Sequence, residues 1–101
     1  MEQQLGILVR SDQYFSQLLA LCRAAKSRNI NTRVFFTHKG VRLILVPQFQ
    51  KLKKLATMAV CKVSLQRHGI DTASPDLHGV ALATQAWHAE LIRESHRYIV
   101  F

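Results

Sequence analysis

Between Leu55 and Cys61 the chain reads Leu-Ala-Thr-Met-Ala-Val-Cys, an apolar run without the polar alternation of a strand that has one wet face. Such a run suits a strand covered on both sides, as in a parallel sheet between helices. It leads directly into Lys62-Val-Ser-Leu-Gln-Arg-His68, a short helical segment that stops at Gly69. Cys61 therefore falls where a strand ends and a helix begins, the place where α/β proteins put ligands and reactive groups. The first N–H groups of that helix have no partner within it, and they favour the anionic form of a nearby thiol. Lys62, Arg67 and His68 add positive charge around the sulfur.

The rest of the chain alternates in the same way. Leu5-Gly-Ile-Leu-Val9 reads as a first strand on its aliphatic and β-branched residues. Arg10-Ser11-Asp12 breaks it, and Ser11 or Asp12 is the expected N-cap of a helix from Gln13 to about Arg28. Phe15, Leu18, Leu19, Cys22 and Ala25 form one apolar stripe on that helix, with Cys22 as a small core residue. Arg33-Val-Phe-Phe-Thr37 is the second strand, so the opening is a right-handed βαβ unit with parallel strands. Thr37-His38-Lys39-Gly40 follows, with Gly40 allowing a tight turn. Val41 to Val46 could be a short helix or a strand, the helix being favoured after a strand and a glycine turn; Pro47 ends it, and Gln48 to Lys54 reads as an exposed basic loop. The third strand is Leu55 to Val60, followed by the short helix Cys61 to His68. Ile70 to His78 reads as irregular, with a brief extended piece near Ile70. Asp76 is the expected cap of a long last helix, Leu77 to Ser95, whose apolar face is Val80, Ala83, Trp87 and Leu91. Arg97-Tyr-Ile-Val-Phe101 is a final strand. The sum is one α/β domain over residues 1–101, a flavodoxin-like three-layer sandwich with a mainly parallel sheet of four or five strands.

Composition narrows the function classes. No run of about 18 apolar residues is present to span a bilayer. The opening Met1-Glu2-Gln3-Gln4 lacks a secretory pattern, so the expectation is a cytoplasmic chain with two free thiols. GxGxxG, GxxxxGK[ST], GxSxG and HExxH are all missing, and only 6 acidic residues are available for paired-carboxylate chemistry. His78, His88 and His96 share no single helical face and there is no CxxC, so no metal centre is expected. The net charge of +8 invites an anionic partner. Nucleic acid ranks last among these, because the basic loop carries no aromatic platform beyond Phe49.

In an open parallel sheet the strand C-termini share one edge. Arg10-Ser11-Asp12, Thr37-His38-Lys39-Gly40 and Cys61-Lys62 are then neighbours. This assembles a thiol, an imidazole, ammonium groups and hydroxyls, surroundings that lower a thiol pKa. The plainer alternatives are a buried junction cysteine at Cys61, a polar turn at His38-Lys39-Gly40, and a helix-terminal role for His68.

Several segments together resemble the DsrE/DsrF-like family. They are Gly6-Ile-Leu-Val9 before its helix, Val34-Phe-Phe-Thr-His-Lys-Gly-Val41, Val60-Cys61 with Arg67-His-Gly-Ile70, and the ending Leu91-Ile-Arg-Glu-Ser-His-Arg-Tyr-Ile-Val-Phe101. The resemblance implies a parallel α/β fold and trimers, hexamers or heteromeric rings. In sulfur-relay members a junction cysteine, matched here by Cys61, carries sulfur as a persulfide between donor and acceptor proteins. On that reading His38, Lys39, Gly40 and Lys62 stabilise the anion, Ser11 and Asp12 contribute to binding, and no cofactor is needed. The rival expectation is a non-catalytic oligomeric module that binds a small anion or a protein at the same edge. The net charge and the basic stretch Gln48–Lys54 are departures from the family pattern.

Overall fold

The structure, a computed structural model, describes residues 3–101. Five strands, β1 (Gln4–Val9), β2 (Asn31–Phe36), β3 (Thr57–Cys61), β4 (Ala81–Ala83) and β5 (Arg97–Val100), form one sheet in the order β4-β3-β2-β1-β5. Every neighbouring pair is parallel. The helices are α1 (Phe15–Ser27), α2 (Lys62–Arg67) and α3 (Gln85–Glu94). This is an α/β sandwich compatible with the flavodoxin-like class expected from the sequence.

Crossover handedness decides which helix covers which face. From β1 to β4 the sheet grows in one direction, and right-handed connections keep α1, the 3-10 helices His38–Leu45 and Pro47–Lys54, and α2 on one side. The step from β4 to β5 runs back across the sheet, so its helix, α3, must lie on the other side. The buried residues divide accordingly. Ile7, Val9, Val34, Phe36, Met58 and Val60 pack with Leu18, Leu19, Cys22, Ile44, Phe49, Leu52 and Leu65 on the thick side. Leu8, Phe35, Ala59 and Cys61 pack with Leu91 on the thin side, rimmed by Ala83 and Trp87.

The single helix α3 is held to that thin face by specific contacts. Gly6 in β1 lies directly beneath Leu91 and Ser95, where a Cβ would overlap the Ser95 hydroxyl. The His88 ring stacks on buried Phe35 with centroids 5.6 Å apart, and its Nε2 lies 2.6 Å from the Tyr98 hydroxyl of β5. The Arg33 guanidinium sits 4.8 Å from the Trp87 ring centroid and 3.4 Å from Glu94 Oε2.

Several sequence expectations change. The first helix starts at Phe15, and neither Ser11 nor Asp12 caps it with a side chain. Ser11 Oγ instead accepts the Gln13 N–H at 3.2 Å, and Asp12 faces Arg42 at 3.7 Å. The short helix expected at 41–46 is a 3-10 helix that begins earlier, His38–Leu45. The expected loop 48–54 is also a 3-10 helix, Pro47–Lys54. Phe49 and Leu52, three residues apart, eclipse on such a helix and are fully buried, leaving the basic residues outside. No strand forms at Ile70, whose side chain joins the thick core. The expected long helix 77–95 is divided: Ala81–Ala83 pairs with Ala59–Cys61 as β4, and α3 begins only at Gln85. Gly79 turns the chain at φ +81°, and Thr84 caps α3 through Oγ1 to the Ala86 N–H. Sheet pairing at an open edge overrides the helical spacing of Val80, Ala83 and Trp87. Asp76, the expected cap, lies instead in the 3-10 turn Pro75–Leu77.

Because α3 covers the thin face alone, Leu91→Ala should lower stability by about 2–5 kcal/mol in urea unfolding. The half-exposed Ile92→Ala one residue on should change it by less than about 0.5 kcal/mol. Gly40 is a second sensitive point. A Cβ there would overlap the Val9 carbonyl oxygen and lie 2.7 Å from its carbon, against backbone that cannot swing away. Gly40→Ala should therefore cost on the order of 3 kcal/mol by the same measurement.

Candidate functional site

Cys61 ends β3 and occupies the N-cap position of α2, with φ −68° and ψ 115°. It is 7% exposed and packs into the thin-face cluster. Burial pushes its thiol pKa up. The neighbouring polar groups of Ser64, Thr37 and Val63 favour the thiolate and outweigh that, and the net pKa lies below the ordinary 9.0. The first turn of α2 thus supplies the donors that its own backbone cannot use. Cys22 has no such help: it is fully buried on the apolar face of α1, and burial raises its pKa to about 11.

Ser64 ties the strand ends together. Its Oγ accepts the His38 N–H at 3.0 Å and lies 3.3 Å from Thr37 Oγ1, while the Thr37 N–H binds the Val9 carbonyl. Because Ser64 accepts from His38, its own proton remains free for Thr37 or the sulfur. The bond also holds His38 at φ +51°, a left-handed conformation that side chains seldom adopt. Gly40 donates its N–H to the carbonyls of Arg10 and Thr37, fastening the β2 turn onto the end of β1.

Above these residues, at the C-terminal edge of the sheet, lies an open cavity of about 560 Å³. Arg10 and Ser11 line it after β1, His38 and Lys39 after β2, Ser64, Arg67 and His68 from the α2 region, and Val100 and Phe101 at β5. β1 has neighbours reached by crossovers on opposite faces, so this is the switch point of the sheet, where such folds bind ligands. The lining holds two guanidinium groups, one ammonium, two imidazoles and no side-chain carboxylate. It can receive an anion.

Of the residues expected from the sequence, Ser11, His38 and Lys39 line the cavity. Cys61 is not in its wall and meets it through Ser64. Gly40 is buried beneath the turn, Asp12 is engaged with Arg42 outside the cavity lining, and Lys62 is exposed at the start of α2. Ser64 was not foreseen. It stands three residues after the N-cap, where a capping partner normally stands, and that spacing was readable in the sequence. Arg10, which the sequence brings to this edge without a role of its own, lines the cavity. Among the described residues no group of three metal-ligating side chains converges.

Alkylation of the folded protein by iodoacetamide should modify Cys61 and leave Cys22 untouched until unfolding. The depressed Cys61 pKa places the midpoint of the rate-against-pH curve below that of an ordinary thiol. Ser64→Ala should move that midpoint up and slow labelling at neutral pH, and an unmoved midpoint would show that the hydroxyl does not hold the thiolate. For Cys22 the shift is upward, so its contribution to stability is full below about pH 9 and falls as pH rises toward 11. The stability difference between wild type and Cys22→Ala should follow that window.

No curated protein is matched by the chain. The model of the DsrE/DsrF-like family matches residues 3–101. With a parallel five-stranded sheet and a cysteine at a strand–helix junction over the same span, the chain belongs to the DsrE/DsrF-like family.

Proposed function

We propose that the protein is a cytoplasmic sulfur carrier that holds sulfane sulfur as a persulfide on Cys61 and passes it to a partner protein. The observation that carries this reading is the thiol itself, at the N-cap position of α2, with the polar groups of Ser64, Thr37 and Val63 lowering its pKa. The Cys61 thiolate attacks the outer sulfur of a donor persulfide. A new S–S bond forms, the donor's S–S bond breaks, and the donor leaves as its thiolate. An acceptor thiolate then takes the outer sulfur in the same way and releases the Cys61 thiolate. No net oxidation occurs, and no metal or organic cofactor enters the balance.

Ser64 and Thr37 stabilise the thiolate. Lys39, with Lys62 nearby, supplies the positive field that draws in an anionic donor, His38 stands beside it in the cavity wall, Gly40 sets the turn that presents them, Ser11 lines the binding edge, and Asp12 holds Arg42 beside it. Assembly into a homo-trimer, a homo-hexamer or a heteromeric ring is consistent with the exposed Leu82, Ile92, Tyr98, Ile99 and Val100. Among the described residues no helix is long and apolar enough to cross a membrane.

A second reading is favoured by the low exposure of Cys61 and its apolar neighbours. In it the cysteine is packing, and the cationic cavity binds a small anion or a protein partner without sulfur transfer. Intact-mass spectrometry of the reduced protein after a polysulfide donor, beside Cys61→Ser, separates the two. A gain of sulfur on wild type that is lost in the variant is the expected result. Equal gain on both, or none on either, would remove the carrier function and leave the binding module.

A further inference from the structure

The opposite end of the sheet carries a second cationic site, independent of Cys61. There the end of α1, the start of β2 and the end of the 3-10 helix Pro47–Lys54 enclose two polar hollows of about 180 and 200 Å³. Both are lined by Lys26, Asn31 and Leu55, so they form one groove. Lys53 and Lys54 line one part, Asn29 and Thr32 the other. No carboxylate is among the lining residues, and none of the ion pairs among the described residues uses these lysines. The Lys53 ammonium lies 5.9 Å from the ring centroid of buried Phe49, which fixes its stem against the core.

A separate observation points to a ligand. Thr32 is 1% exposed, and its Oγ1 is the one buried side-chain polar atom without a hydrogen-bond partner among the described residues. Buried hydroxyls are ordinarily satisfied, and an orphan calls for an explanation. The N–H groups of Arg28, Asn29 and Ile30 cap the carbonyls of Ala25 and Lys26, and the lysines must offset what remains of the negative end of α1.

We propose that this groove binds a phosphate group, with Lys26, Lys53 and Lys54 as its cations and the Thr32 hydroxyl as a hydrogen-bond donor, while the Asn31 amide, which donates to Gln4 at 2.9 Å, forms part of the rim. Three ammonium groups suit a compact oxyanion of more than one charge better than a single carboxylate. The small hollows admit the phosphate and leave any attached group outside.

The test is a titration of the full chain, followed by amide chemical shifts, with inorganic phosphate at constant ionic strength and chloride as control. AMP and adenosine are run in parallel. Saturable shifts around Lys26, Thr32 and Leu55 with phosphate are expected. AMP binding more tightly than phosphate would identify the source as a nucleotide, and equal binding the free ion. The double variant Lys26→Gln/Lys54→Gln should weaken binding by about a hundredfold, the scale of two lost charge-assisted contacts at about tenfold each. Thr32→Val should weaken it several-fold while unfolding no more easily than wild type, a combination that a purely structural threonine would not produce. Unsaturable shifts, shifts equal to those in chloride, shifts confined to the cavity of Arg10, Lys39 and Arg67, or affinity unchanged in these variants would each overturn the proposal.

Discussion

The structure rests on one requirement: a parallel sheet must be covered on both faces, and right-handed crossovers decide by what. Three successive crossovers in one direction place all their cover on the same side. The far side depends on the single return connection from β4 to β5. The thick face is therefore overdetermined, with α1, two 3-10 helices and α2 contributing to one cluster. The thin face depends on Leu91, Trp87 and the contacts of His88 and Arg33. Cys61 belongs to the thin face, so the candidate site is seated where the cover is lightest.

The site also depends on how strand ends are joined. In a parallel sheet the last residue of each strand leaves polar groups without ladder partners, and these must be satisfied locally. Ser64 does this for the β2 turn, and the first turn of α2 does it for the sulfur. The same bonds hold His38 and Lys39 beside Arg10 and Arg67. The polar chemistry of the edge is thus a product of how the strands are terminated, and it does not require long loops.

Much of this was legible in the sequence. Unbroken apolar runs at Leu5–Val9, Val34–Phe36 and Met58–Val60 announce buried parallel strands, and topology alone then brings Ser11, His38, Lys39 and the Cys61 junction to one edge. Two kinds of information were hidden. Segments whose spacing fits both periods were decided by tertiary pairing: Val80–Ala83 looks helical beside Trp87, but β3 offered an unpaired edge and took Ala81–Ala83 as a strand. The stretch Pro47–Lys54 looks like a loop because its charges dominate, and only the three-residue interval of Phe49 and Leu52 betrays the 3-10 helix. Within the site, the exposure of Cys61 depends on how closely Leu8, Phe35 and Leu91 approach it, a matter of packing that no local pattern records.

The pairing of β5 with β1 has a consequence for the growing chain. Gln4 and His96, hydrogen-bonded at this junction, are separated by 92 positions. As the protein leaves the ribosome, β1 to β4 and their helices can assemble in sequence, each strand beside the one made before it. Until α3 and β5 emerge, one edge of β1 and the thin face stay uncovered, with Leu8 and Phe35 facing solvent or another chain. The cavity lined by Val100 and Phe101 is complete only once β5 has paired with β1. Long-range pairing of this kind slows folding in general, and an unpaired strand edge is open to association while it lasts.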